Sequence, residues 1–182
     1  MNRKEKSILV TGCAGFIGSK FVNAFQKRFP KIEIIGIDDF STGKREALNS
    51  SIIFYEGGIT DEKLLRKIFG THKPEYVFHF AARPRVSYSV EHPRETSETN
   101  IVGTVSLLEI CRDFGIKRFI YSSSSAVYGL AKKMPTPESE FANPISPYAF
   151  QKYAGEAFCK MFSKLYNIDT VSLRYFNVFG FL

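Results

Sequence analysis

Six short runs of consecutive apolar residues recur along the chain: SILVT (7–11), IEIIGI (32–37), SIIFYE (51–56), EYVFHF (75–80), KRFIYS (117–122) and DTVSLRYF (169–176). Each is too brief for a helix and rich in Ile, Val, Phe and Tyr, so each is predicted to be a strand. Four of the intervals between them, 15–29, 61–69, 96–114 and 147–166, carry apolar residues at helical spacing. Continuous apolar strands alternating with amphipathic helices predict an α/β domain, a doubly wound parallel sheet covered on both faces. The interval 40–51 lacks helical periodicity and is expected to be an irregular crossover.

At 182 residues and 44% hydrophobic, the chain is long enough for one well-cored domain. The formal charge of +7 raises nucleic acid as a partner. Lys and Arg are nevertheless spread along the chain and never form a run interleaved with aromatics, so no nucleic-acid partner is expected. Cys13, Cys111 and Cys159 show neither paired-ligand spacing nor an even count. No disulfide and no metal site is expected, and a reducing, cytoplasmic setting fits. The apolar stretch before Cys13 is far shorter than a signal core, and no run approaches a membrane span, so no membrane association is expected.

The first strand leads into TGCAGFIGS, which places Gly12, Gly15 and Gly18 where a helix begins. Glycines there let the backbone turn sharply and approach a pyrophosphate, whose charge meets the free N–H groups of the helix start. Asp38 and Asp39 close the second strand about 20 residues further on, the separation expected of a ribose-binding acid. A carboxylate at Asp38 can accept from the adenosine ribose hydroxyls and would repel a 2′-phosphate, which favours NAD over NADP.

Downstream, SPYAFQK offers Ser146 as an N-cap and Pro147 at the first helical position, placing Tyr148 in the opening turn and Lys152 on the same face. Bringing a phenol from a pKa near 10 to neutrality requires roughly 4 kcal/mol of differential stabilisation. A neighbouring ammonium, an oxidised nicotinamide and the helix dipole all act in that direction. YSSSSAVYG (121–129) begins where the fifth strand is predicted to end, so its hydroxyls are expected to face the same crevice as the glycine loop.

The ordered set TGCAGFIGS, DDFSTG, HFAA, TNIVGT, SSSSAVYG, SPYAFQK and LRYFNVFG, running from about Ser7 to Gly180, closely resembles the extended short-chain dehydrogenase/reductase family, in particular its NAD-dependent nucleotide-sugar epimerases. The resemblance implies a Rossmann-type NAD-binding domain over 1–182, with Ser124, Tyr148 and Lys152 as the catalytic group. It implies Phe16 and Ile17 beside the pyrophosphate with the three glycines, Asp38 and Asp39 at the adenosine ribose, and Ser41 and Gly43 in the loop beyond. Gly58 and Ile59 fall at the adenine, Phe80, Ala81 and Ala82 along the cofactor, and Tyr175 beside it. Asn100 either approaches the nicotinamide end or bonds backbone, and Phe176 either flanks the cofactor or packs in the core. Ser87, Ser125 and Asn177 are implied at the sugar nucleotide, with turn capping the alternative for Ser123 and Ser125. His79 is expected to pack or bond locally behind the sheet.

The implied reaction is reversible oxidation at C4 of a UDP-hexose or UDP-N-acetylhexosamine to a keto intermediate, which rotates and is reduced on its other face. Related dehydratases carry acidic residues immediately after the catalytic hydroxyl, where this chain has Ser125 and Ala126; alanine cannot exchange a proton. The alternatives are a silent NAD-binding or dimerising module, or another NAD-dependent nucleotide-sugar enzyme such as a dehydratase. Most relatives carry Asp where this chain has Gly58, which removes an adenine acceptor. They also continue through a C-terminal sugar-nucleotide lobe expected to be missing from residues 1–182. The helices at 96–114 and 147–166 are expected to build a homodimer through a four-helix bundle.

Overall fold

A computed structural model of the protein describes residues 6–131 and 133–180. All six predicted strands form: β1 (Ser7–Thr11), β2 (Glu33–Asp38), β3 (Ile53–Glu56), β4 (Tyr76–His79), β5 (Arg118–Ser124) and β6 (Asp169–Tyr175). They pair in parallel in the order β3-β2-β1-β4-β5-β6. The chain builds outward from β1 in one direction, then returns to its other side with β4. That reversal opens a crevice at the carboxyl ends of β1 and β4, the place where parallel sheets of this kind hold ligands.

The described residues form six α-helices, α1 (Phe16–Arg28), α2 (Glu62–His72), α3 (Val86–Glu91), α4 (Pro93–Ser97), α5 (Thr104–Phe114) and α6 (Pro147–Tyr166), of which the short α3 and α4 pack on α6. Alternate strand residues feed two cores. Leu9, Ile35, Ile37, Val77, Phe119 and Tyr121 pack with Leu65, Ile68, Leu107, Leu108 and Phe162 of α2, α5 and α6. Ile8, Val10 and Ile34 face the other way, against Val22, Phe21 and Phe25 of α1. Full burial of each aliphatic side chain is worth about 1.5–3 kcal/mol, and the continuous apolar runs are what two-sided burial demands. Coverage is unequal: α1 shields the β1, β2 and β4 part of its face, while Leu173 on β6 stays exposed.

The helix starts follow local chemistry. Asp61 accepts the Leu64 N–H at the start of α2, and Ser146 accepts the Ala149 N–H at the start of α6, with Pro147 at the first position as expected. The 40–51 crossover holds only a single 3₁₀ turn, Arg45–Ala47.

Two expectations are corrected. The helix foreseen at 96–114 is composite: α4 runs into a π-helical segment, Glu98–Gly103, before α5, and α3 precedes them. Pro93 starts a new helix there because its fixed φ suits the first turn and its missing N–H would be unpaired in any case. The fifth strand does not end at Ser122 as predicted; β5 continues through Ser124, paired with Tyr175 of β6. Partners are found for two of the serine hydroxyls in this stretch: Ser123 donates to the Glu156 carboxylate on α6 and Ser124 accepts the Ala126 N–H, while the buried Ser122 hydroxyl has none among the described residues.

Candidate functional site

The carboxyl ends of the strands enclose a cleft of about 530 Å³, within the range typical of small-molecule sites. At its floor, Gly12 follows β1 with φ of +70°, and a Cβ there would lie 2.6 Å from the Ala81 nitrogen. At Gly18 a Cβ would lie 2.1 Å from the Gly12 carbonyl oxygen. Both positions therefore exclude any side chain, and the loop lies flat against the start of α1. The N-cap of α1 is Gly15, which offers no side chain, and the first turn holds no acidic residue. The helix start thus keeps its donors and positive end for an anion.

Asp38 ends β2 against this loop. Its two carboxylate oxygens accept the Ala14 N–H at 2.9 Å and the Phe40 N–H at 2.8 Å. Burial pushes its pKa up and these bonds oppose that shift. Asp38 therefore braces the glycine loop as well as lining the cleft. Asp39 accepts the Ser41 N–H, and its other oxygen lies 3.8 Å from the Arg83 guanidinium.

Opposite the loop, α6 presents Tyr148 and Lys152 to the cleft, with Ser124 at the end of β5. Lys152 is only 4% exposed and donates from Nζ to the Ser122 carbonyl at 2.8 Å. Burial draws its pKa down to about 8, so most of it is still protonated at pH 7. Its ammonium lies 5.0 Å from the centre of the Tyr121 ring and 6.0 Å from that of Tyr148. The chain's own groups push the Tyr148 phenol up, not down: burial raises it and the Ser124 hydroxyl pulls back. This departs from the lowering expected of a neighbouring ammonium. Lys152 is committed to a backbone carbonyl, and desolvation outweighs its field at the phenol.

Most of the residues expected at the site meet here. Gly12, Gly15, Phe16, Ile17, Gly18, Asp38, Asp39, Ser41, Gly58, Ile59, Phe80, Ala81, Ala82, Ser124, Tyr148, Lys152, Tyr175, Phe176 and Asn177 all line the cleft. Four do not. Gly43 packs against Ala14 behind the loop, where a Cβ would meet Ala14 atoms at 2.9 Å. Ser87 is exposed on α3, and Ser125 lies in the 3₁₀ turn beyond β5. Asn100 is buried, with its amide bonded to both backbone groups of Arg83 and to Gln151, so of its two alternatives the backbone-bonding one describes it. Phe176 is exposed at the cleft and is not core. Thr60 and Arg85 also line the cleft without any sequence signal having marked them, as does Thr99 of the TNIVGT motif, to which no role was assigned; Thr60 follows β3 and Arg85 stands at the entry of α3, positions that could have drawn attention to them. At Gly58 a Cβ would find only ordinary contacts, 3.5 Å from Thr60 and 3.7 Å from Asp39, so the position has room for a side chain. Among the described residues no cluster of potential metal ligands occurs and no helix is long and apolar enough to cross a membrane.

An anion cradle at a helix start, a carboxylate one strand away and a Tyr–Lys–Ser group across the cleft fit a dinucleotide, and comparison with known proteins agrees. A UDP-glucose 4-epimerase of Lactobacillus helveticus is 38% identical over 173 residues, covering 95% of this chain and 52% of that protein. The crystal structure of a UDP-glucose 4-epimerase with UDP-glucose from Thermotoga maritima superposes with a TM-score of 0.92 at 44% identity, over 96% of this chain and 56% of the other. A UDP-glucose 4-epimerase from Brucella ovis, in complex with NAD, gives 0.90 at 37% identity, over 94% and 52%. The chain thus spans about half the length of the curated relatives it matches. The sequence profile of the NAD dependent epimerase/dehydratase family matches residues 8–182, and with that match nearly end to end the chain belongs to this family of NAD-dependent enzymes.

Proposed function

We propose that residues 1–182 form the NAD-binding domain of a nucleotide-sugar 4-epimerase acting on a UDP-hexose or UDP-N-acetylhexosamine. The observation that carries this reading is the placement of Ser124, Tyr148 and Lys152 in one cleft with the glycine loop and Asp38. Gly12, Gly15 and the first turn of α1 would hold the pyrophosphate, and Asp38 and Asp39 the adenosine ribose. When bound, NAD would supply the acceptor and donor of the C4 hydride. Tyr148 takes the C4 hydroxyl proton as a general base, and Ser124 hydrogen-bonds the same oxygen. Lys152 keeps a cation beneath the Tyr148 and Tyr121 rings and favours the phenolate as the site is assembled. Once the substrate has turned its other face to the cofactor, Tyr148 would return the proton to the same oxygen. Alanine at 126 leaves this segment without the acid and base that elimination needs, which supports epimerisation over dehydration.

A homodimer is part of the same reading. Phe150, Tyr153, Met161 and Leu165 fall on one face of α6 and are exposed, Leu165 by 70%. A second copy would cover this face by helix pairing. Cys13, Cys111 and Cys159 are buried free thiols, which supports a reducing compartment such as the cytoplasm.

The test is NAD calorimetry on the chain, followed by a 4-epimerase assay on UDP-hexoses in a protein that extends this domain to the length of its relatives. Tyr148→Phe is expected to lower turnover at least ~100-fold, the usual size of general-base catalysis, with NAD affinity retained. Turnover unchanged in Tyr148→Phe overturns the mechanism; no NAD binding overturns the reading.

A further inference from the structure

One run of hydrogen bonds behind the cleft has a forced direction. The Thr104 hydroxyl lies 2.8 Å from the Asn100 carbonyl, which can only accept, so its single proton goes there. Its contact with His79 Nε2 at 3.0 Å must then be accepted by the hydroxyl, which places a proton on Nε2. On the other side, Nδ1 lies 2.7 Å from the Thr11 hydroxyl, and that hydroxyl accepts the Ala81 N–H at 3.3 Å. The ring is fully buried, and burial draws its pKa down to about 3, which leaves Nδ1 free to accept the Thr11 proton. The relay therefore reads Ala81 N–H to Thr11, Thr11 to His79, His79 to Thr104, and Thr104 to Asn100.

Both ends of this relay grip the same strip. Phe80, Ala81 and Ala82 wall the cleft. At one end the Phe80 N–H donates to the Thr11 carbonyl at 3.1 Å. At the other, the Asn100 side chain accepts the Arg83 N–H at 2.8 Å and donates to the Arg83 carbonyl at 3.1 Å. Asn100 stands in the π-helical segment, where the widened turn departs from the register of α4 and α5. Its amide also donates at 2.7 Å to Gln151, the residue beside Lys152 on α6.

We propose that His79 is a positioning residue: its neutral, Nε2-protonated imidazole locks Thr11 to the π turn and so holds the Phe80–Arg83 strip in the shape that receives NAD. The proposal rests on the NAD-binding reading above. His79 touches no reacting atom; it acts by preventing the strip from sampling other conformations, which a bound dinucleotide would otherwise have to order.

The experiment uses the 182-residue chain. Its histidines are only His72, His79 and His92, so long-range ¹H–¹⁵N spectra resolve each ring. The wild-type His79 signal is expected to show protonated Nε2 and no titration from pH 5 to pH 8. Thr104→Val keeps the side-chain shape and removes the acceptor; it is expected to move His79 toward the Nδ1-protonated form and to weaken NAD binding by about 3- to 10-fold in calorimetry, with the chain still folded by circular dichroism. His79→Phe is expected to weaken binding at least as much; should it not fold, the threonine variant carries the test alone. An NAD affinity within twofold of wild type in folded Thr104→Val, or a His79 ring that titrates between pH 5 and pH 8, overturns the assignment. A wild-type chain that binds no NAD overturns the functional reading itself, a result distinct from a wild type that binds and a variant that binds equally well.

Discussion

Replacing Lys152 by methionine tests the electrostatics of the site without any substrate. The amine titrates at about 8 in the fold against an ordinary 10.5. Between those values the unfolded chain binds more protons than the folded one, so this residue's contribution to stability rises with pH. Below pH 8 the buried ammonium weakens the fold by about 3 kcal/mol relative to the neutral amine, and that penalty is relieved as pH climbs towards 10.5. Methionine fills a similar volume and carries no charge, so the variant lacks this dependence, while every other titrating group is common to both chains and cancels. The stability of wild type minus that of Lys152→Met is therefore expected to grow by about 1 kcal/mol from pH 7 to pH 9. Loss of the bond to the Ser122 carbonyl offsets both pH values alike. The chain has no tryptophan, so urea unfolding followed by far-ultraviolet circular dichroism is the suitable assay. A wild-type-minus-variant stability difference that stays flat, or falls, between pH 7 and pH 9 would falsify the buried-ammonium account.

Other perturbations address the cofactor side. Gly12→Ala forces a left-handed φ on an L-residue and drives its Cβ against the Ala81 backbone; it is expected to cost about 2 kcal/mol or more, lowering the melting temperature by roughly 4–8 °C, and to abolish NAD binding by calorimetry. Gly58→Asp meets only ordinary contacts and places an acceptor where the family resemblance implies one; NAD affinity is expected to rise about 2- to 10-fold, and an unchanged affinity would show that adenine does not reach this residue. Leu165→Glu on the exposed face of α6 is expected to leave the melting temperature nearly unchanged and to shift a dimer to monomer in sedimentation velocity; a wild type that sediments as a monomer at high concentration rules out this interface.

Much of the architecture was legible because two-sided burial leaves a strong trace. Leu9 and Val10 are both fully buried yet face opposite cores, and only a sheet covered on both sides asks for such runs. The glycine loop was legible for a similar reason, since Gly12 and Gly18 sit where backbone meets backbone. Other features depend on partners far away in sequence. The π turn at Glu98–Gly103 reflects the bonds of Asn100 to Arg83 and Gln151, neither of which is local to the helix. Gly103 adds a close approach, with a Cβ there only 2.8 Å from Ile59. The extension of β5 through the serines has the same origin, because Ser123 finds its acceptor in Glu156 on α6. Helical periodicity cannot report such bonds.

The site's chemistry depends on how closely α6 lies on β5, a distance that no motif encodes. Tyr148, Lys152 and Glu156 follow one another at four-residue intervals along one face, and each meets the strand: Tyr148 near Ser124, Lys152 at the Ser122 carbonyl, Glu156 at Ser123. Arg174 on β6 holds Glu156 through two further bonds, at 2.8 and 2.7 Å, which keeps that carboxylate in place. What allows this approach is Gly155, where a Cβ would fall 2.2 Å from the Tyr121 hydroxyl oxygen. That hydroxyl is buried and has no hydrogen-bond partner among the described residues, so the strand accepts an unpaired polar group in order to sit directly under the helix. The same closeness puts the Tyr121 ring beneath the Lys152 ammonium, a cation–π contact that offsets part of its desolvation. A side chain at 155 would have to displace the Tyr121 ring or lift α6, and so lose either the ring beneath the ammonium or the bond of the lysine to the Ser122 carbonyl. The Tyr–Lys spacing would survive such a change intact, while the geometry that makes it a candidate proton-transfer site would not.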